Sequence, residues 1–170
     1  IAAEFHSDSD GVVAVDLAGA EALFPTSDYE KLFAHARDEG IPFTIHAGEA
    51  AGPESIRQAV DYGTARIGHG VNCIHDKNLM NIIAEKGITL ELCPTSNLNT
   101  KIVNDIKDYP IDEIINNKIK VTINTDNMTV SGTDEASEMK LICDTFGYDG
   151  NMRRIFVETA IDAAFLSNEM

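Results

Sequence analysis

Phe43-Thr44-Ile45-His46-Ala47 and Arg66-Ile67-Gly68-His69-Gly70 are two apolar runs joined by a helical pattern, and that unit decides the fold. Between them Gly52-Pro53 opens a helix, Ile56, Ala59 and Val60 give its apolar face, and Gly63 closes it. Proline just inside the start and glycine just past the end is the expected helix asymmetry. The rhythm repeats outward, with Val12–Asp16 before the unit and 88–93 and 120–124 after it. Ser27 and Glu30 have capping-box spacing ahead of Leu32, Phe33 and Ala36, and Gly40 follows. Asp76 is placed to cap a helix carrying Leu79, Ile82 and Ile83, with Gly87 after its end. Ile111, Ile114 and Ile115 mark a short helix; Met139, Ile142, Cys143 and Phe146 mark a longer one; Ile155, Phe156 and Thr159 mark the last.

Strand centres recur every roughly 22 to 32 residues, the size of a strand–helix unit. Five strands alternating with helices predict an α/β fold with a parallel sheet under covering helices. A doubly wound sheet normally carries a glycine-rich phosphate loop after its first strand, but Asp16-Leu17-Ala18-Gly19-Ala20 is no GxGxxG. A (β/α)8 barrel needs about 250 residues, so the expectation is a partial TIM-type barrel. Residues 1–170 are then expected to be the C-terminal portion of a single barrel domain whose N-terminal strands are missing. The opening residues agree with this: Ile1 to Phe5 reads as the end of an amphipathic segment, with no initiator Met and no signal-peptide pattern.

Composition narrows the function classes. The 170 residues are 44% hydrophobic, enough for a core, and carry 13 basic against 28 acidic residues, net -15. So acidic a chain repels phosphate backbones and anionic lipid, arguing against nucleic-acid or membrane partners. No apolar run approaches the roughly eighteen residues of a membrane span. Cys73, Cys93 and Cys143 are odd in number and form no CxxC, so a disulfide framework is not expected and a reducing cytoplasm suits the chain.

In a barrel the chemistry sits at the C-terminal ends of the strands. Those ends carry Asp16 and Gly19, then His46 and Glu49, then His69, then 93–97, then Asp126 and Asn127. Strand interiors disfavour Asp, Asn and Gly, so their repeated placement just past apolar runs calls for a reason. Each group has a bland alternative when taken alone. His46 and His69 could be hydrogen-bonded structural histidines, Glu49 a helix cap, and Asp126 a cap where a buried strand end meets a helix. Together, two histidines, a glutamate and an aspartate on one rim have the composition of a mononuclear zinc hydrolase site. His6, His35 and His75 read as loop or surface residues.

The ordered set 13–19 (VAVDLAG), 44–49 (TIHAGE), 66–70 (RIGHG), 92–97 (LCPTSN) and 124–126 (NTD) resembles the adenosine deaminase family of metal-dependent amidohydrolases. The likeness runs over nearly the whole chain and implies strands four to eight of the barrel. It implies His46 as a zinc ligand and Asp126 as both a ligand and a partner of the attacking water. It further implies Glu49 as the proton shuttle to the purine ring nitrogen, with a raised pKa, and His69 as the group that orients and helps deprotonate the water. An imidazolium at His69 would stabilise developing charge. Gly19 would offer its backbone to the purine edge, and Asn127 would meet the substrate.

Two departures qualify that implication. The family's HxH zinc pair is absent from these residues, and Asn127 stands where a second aspartate is usual. The expected function is therefore zinc-dependent deamination of adenosine to inosine and ammonia, in purine salvage, as part of a full-length enzyme, with the 170 residues inactive alone. The alternatives are deamination of adenine or a non-catalytic purine-binding relic, while AMP lacks cationic partners at the strand ends. The expected partners are a purine nucleoside and, for the open sheet edges, the missing N-terminal segment or a second copy.

Overall fold

Alternation in the strands separates two kinds of surface, and a computed structural model of the chain, describing residues 1–7 and 11–166, shows where each lies. A short helix α1 (Ala2–Phe5) precedes strand β1 (Val15–Leu17). The next elements are α2 (Glu30–Asp38), β2 (Phe43–Ala47), α3 (Pro53–Tyr62) and β3 (Arg66–His69). They are followed by α4 (Lys77–Lys86), β4 (Thr89–Leu92), α5 (Pro94–Asn99), α6 (Ile111–Asn116) and β5 (Lys120–Ile123). The described residues end with α7 (Met128–Ser131), α8 (Glu135–Phe146) and α9 (Gly150–Ala163).

All four strand pairings are parallel, and the strand order is β1-β2-β3-β4-β5. Each strand thus pairs with the next in sequence. A doubly wound sheet reverses its order at a switch point; a barrel wall does not.

The register explains which face is apolar. Leu17, Ile45, Ile67, Leu90 and Val121 align across the sheet, with Phe43, Ala47, Leu92 and Ile123 on the same face. Ile45, Ile67, Leu90 and Leu92 are completely buried there, together with Ile56 and Ala59 of α3 and Leu79 and Ile83 of α4. The other face carries Asp16, Thr44, His46, Arg66, Gly68, Thr89, Glu91, Lys120 and Thr122. Thr44 Oγ1 donates to Glu91 Oε2 at 2.9 Å, and Arg66 Nε lies 2.9 Å from Glu91 Oε1. An open sheet covered by helices on both sides is apolar on both. One apolar and one polar face mark the outside and inside of a barrel wall.

Local signals set most helix ends. Pro53 stands at the first turn of α3, and Gly63 ends it in the left-handed conformation. Asp76 accepts from the Leu79 amide at 3.0 Å and caps α4. The Ser27 box is not used: a 3-10 turn, Thr26–Tyr29, runs into α2, whose N-cap is Tyr29. Strand β1 also differs from the expected 12–16. It starts at Val15, because Val12 forms an isolated bridge with His6, and Asp16 becomes a mid-strand residue. At the far end of the sheet Arg66 Nη1 donates to the carbonyl of Ala163 at 2.8 Å, tying the end of α9 beneath β3.

Candidate active site

The loops beyond β2, β3, β4 and β5 bring most of the sequence-derived residues to one rim. His46 ends the polar face of β2, about a quarter exposed, with Nε2 3.7 Å from Asp16 Oδ2. Its register partner is Gly68. The rings of His46 and His69 meet edge to face, with centroids 5.1 Å apart.

His69 pairs in register with Ala47, so simple alternation assigns its side chain to the apolar layer. Its backbone is left-handed, φ 62°, and the alternation breaks. The imidazole instead meets Glu49 Oε2, 3.6 Å from Nε2, and Asn97 Nδ2, 3.2 Å from Nδ1, while staying 1% exposed. Tyr109 donates its hydroxyl to Asn97 Oδ1 at 3.0 Å, which turns the amide nitrogen of Asn97 toward His69. Nδ1 is therefore the acceptor, and the ring proton belongs on Nε2, the atom facing Glu49. Burial pulls the His69 pKa below its ordinary value, and His46 adds to this against the attraction of Glu49 and Asp126. Desolvation thus works against the imidazolium expected from the sequence, more than the nearby carboxylates work for it.

Glu49 occupies the loop after β2. Asn97 Nδ2 and Thr100 Oγ1 each approach its Oε1 at 3.4 Å. Asn72 Nδ2 donates to the carbonyls of Glu49 at 3.0 Å and Ala51 at 2.8 Å. Helix α5, which the apolar pattern did not announce, supplies both Asn97 and Ser96.

Asp126 lies just past β5, also left-handed at φ 56°, and accepts from Ser96 Oγ at 2.6 Å. It is exposed, whereas the sequence suggested a buried strand end, because the chain turns away two residues beyond the sheet. Asn127 is exposed too, and its Oδ1 caps α7 by accepting from the Val130 amide at 3.0 Å. Gly19 (φ 141°) accepts from the Glu21 amide at 3.0 Å. It lines a cleft with Leu17, Glu21, Phe24, Tyr29 and His46.

Sequence reasoning missed Ser96, Asn97, Tyr109 and Glu21 as parts of this site. Ser96 and Asn97 appeared only inside the CPTSN run. Glu21 and Tyr109 gave no signal, since their partners lie 27 to 34 and 12 residues away. No group of three His, Cys, Asp or Glu that could hold a metal occurs among the described residues. Cys73, Cys93 and Cys143 are buried and free. None of the helices among the described residues is long and apolar enough to cross a membrane.

Residues 2–170 match the family model described as adenosine deaminase. The adenosine deaminase of Haemophilus ducreyi is 47% identical over 159 residues, covering 94% of this chain and 46% of the relative. The N6-methyl-AMP deaminase of Arabidopsis thaliana superposes with a TM-score of 0.85 at 28% identity, over 94% of this chain and 47% of its own. A cog1816 amidohydrolase from Burkholderia ambifaria, solved with bound Zn, shares the fold with a TM-score of 0.86 at 23% identity, over 95% and 46%. The chain spans about half the length of the curated relatives it matches.

Proposed function

The chain belongs to the adenosine deaminase family, and from that premise we propose that it carries the proton-transfer half of a hydrolase converting adenosine to inosine and ammonia. The observation that supports this reading is the cluster of Glu49, His69 and Asn97, in which a carboxylate and a buried imidazole share one amide partner at the rim of a barrel wall. Deamination at an amidine carbon needs a proton delivered to the ring nitrogen and one removed from the attacking water. Glu49, half-buried beside the cleft that Gly19 lines, is the donor to the ring. His69, with Nε2 3.6 Å from Glu49 Oε2, stands beside that donor and would orient the attacking water. Asp126, oriented by Ser96, is the carboxylate that accepts the proton of the water.

The metal fits in kind and falls short in number. His46 nitrogen and Asp126 oxygen are donors that zinc takes, but a catalytic zinc site uses three protein ligands, and no such triad is present among the described residues. His46 and Asp126 would be two of its ligands. When bound, zinc supplies Lewis acidity and lowers the pKa of water. Strands β1 and β5 are the sheet's edges, and their unpaired backbone is open to further strands.

The substrate is read as a nucleoside. The rim carries the carboxylates Asp16, Glu49 and Asp126, and they oppose a phosphate. Gly19 would meet the purine edge through its backbone, and Asn127 would have only its amide nitrogen to offer, its oxygen being engaged in the cap of α7. Adenine, lacking the ribose, is the second substrate to test.

Glu49→Gln in the complete zinc-loaded barrel containing this chain is the test. It should keep its zinc and lose turnover of adenosine by about 100-fold or more. Activity within about tenfold of the parent would remove Glu49 from proton transfer. Faster turnover of AMP or adenine than of adenosine by the parent would overturn the substrate.

A further inference from the structure

The loop that carries Glu49 is built around a buried carboxylate from the segment that follows another strand. Glu21, in the segment after β1, is 8% exposed. Its Oε1 accepts from the Gly48 amide at 2.6 Å and from Ser55 Oγ at 2.5 Å. Its Oε2 accepts from the amides of Glu49 at 3.1 Å, Ala50 at 2.8 Å and Ala51 at 3.0 Å. Four consecutive backbone N–H groups thus converge on one side chain, an anion-binding concavity filled from within the protein.

Such convergence needs the chain to turn sharply at Gly48, which it does at φ 71°. Space enforces it as well, since a Cβ there would come 2.2 Å from Ile56 Cδ1. Asn72 holds the carbonyls of Glu49 and Ala51 from the other side. With Glu21 holding the amides and Asn72 the carbonyls, the peptide units on both sides of the Glu49 Cα are fixed.

We propose that Glu21 is a positioning residue for Glu49, setting where its carboxylate stands relative to His69 and the substrate ring. The proposal rests on the reading of Glu49 as the proton donor. Glu21 does not touch the reacting atoms; it acts by fixing the backbone from which Glu49 projects. The main-chain N–H of Glu21 holds the Gly19 carbonyl at 3.0 Å, and a side-chain substitution leaves that bond in place. Removing the carboxylate therefore separates two effects: the proton donor moves, while the backbone offered to the purine edge stays.

Glu21→Gln replaces one acceptor oxygen with an NH2 group, which faces amide donors and cannot accept from them. In the complete zinc-loaded barrel, kcat should fall by about 10- to 100-fold, the scale of a misplaced catalytic group. KM should stay within about threefold of the parent, and zinc content should be unchanged. The double variant E21Q/E49Q should be no slower than E49Q alone, because residues that act as a unit are not additive. Glu21→Asp keeps the charge on a shorter arm and should restore part of kcat; it also serves if the Gln variant fails to fold.

A kcat within about twofold of the parent for E21Q overturns the proposal. So does a double variant slower than E49Q by the full factor seen in E21Q alone, since Glu21 then acts independently of Glu49. If E49Q itself retains turnover, the proton-donor reading fails first, and this inference falls with it.

Discussion

Gly68 leaves the space that the imidazole of His46 occupies. The two are register partners on β3 and β2, and a Cβ on Gly68 would lie 2.6 Å from His46 Cδ2 and 2.9 Å from its Cγ. Non-bonded carbons do not sit that close, so one added methyl group must turn the ring. His46 is partly exposed and can swing, so Gly68→Ala should destabilise the fold by only about 1 kcal/mol, the low end of overpacking. Its effect on metal binding should be larger, with zinc content measured by elemental analysis of the complete barrel falling well below that of the parent. Full zinc occupancy in the Ala variant would show that His46 needs no such space.

Ser96 orients the other metal-ligand candidate. Its hydroxyl donates to Asp126 Oδ2 at 2.6 Å, a contact of the kind that fixes a ligating carboxylate. Ser96→Ala should weaken zinc binding by about 10- to 100-fold, the usual effect of losing such a partner. Competition against a chromogenic chelator measures it, and an unchanged affinity would rule out Asp126 as a ligand that depends on Ser96.

Tyr109→Phe probes the relay to His69. The hydroxyl removed is that of a side chain 2% exposed, and it leaves Oδ1 of the fully buried Asn97 without this donor. The loss should be about 1–3 kcal/mol, the desolvation cost of an unmet acceptor, read as a lower urea midpoint at constant slope. The Asn97 amide is then free to rotate, so the His69 proton should no longer be held on Nε2. Nitrogen-15 shifts of the imidazole report this directly. A midpoint unmoved and an unchanged tautomer would mean that Asn97 is oriented by something other than Tyr109.

The cap of α4 should contribute to acid sensitivity. The Leu79 amide and, next, the Arg57 side chain hold the Asp76 carboxyl below its usual pKa, with Arg57 Nη2 2.5 Å from Oδ2. A pKa depressed in the folded state means that the unfolded chain binds the extra proton more readily. The stabilisation is therefore fully present above the unfolded value of about 3.9 and is lost as pH falls through the lower folded one. Asp76→Asn keeps a capping oxygen and removes the charge. Melting temperatures of the two proteins should differ at pH 7 and converge toward pH 3; a constant difference would show that the charge is not responsible.

How far the fold could be read in advance follows from where the determining contacts lie. Strands β2 to β5 and the ends of α3 and α4 depend on runs, glycines and caps a few residues apart, so they were visible. The start of β1 was not, because its limit is set by the bridge from His6 to Val12. Helix α5 was also missed: Pro-Thr-Ser-Asn has no apolar period, and its burial comes from Asn97 reaching Glu49, His69 and Tyr109. The same division applies to the site. His46, Glu49 and His69 stood out as polar groups at strand ends, and the structure brings them to one rim. Glu21 did not, because a glutamate in a loop gives no hint that four amides beyond the next strand will point at it. The exposure of Asp126 was equally hidden, since it depends on how the chain leaves β5.

The left-handed backbone at His69 and Asp126 has a consequence for how these positions can vary over time. Four non-glycine residues have positive φ among those described, and these are two of them. His and Asp are among the few side chains that tolerate this conformation, while β-branched and bulky residues are genuine outliers there. Most random replacements at either position would thus weaken folding before any substrate was met. The shape of the chain beneath these two side chains thus restricts them by itself, independently of any chemistry they perform.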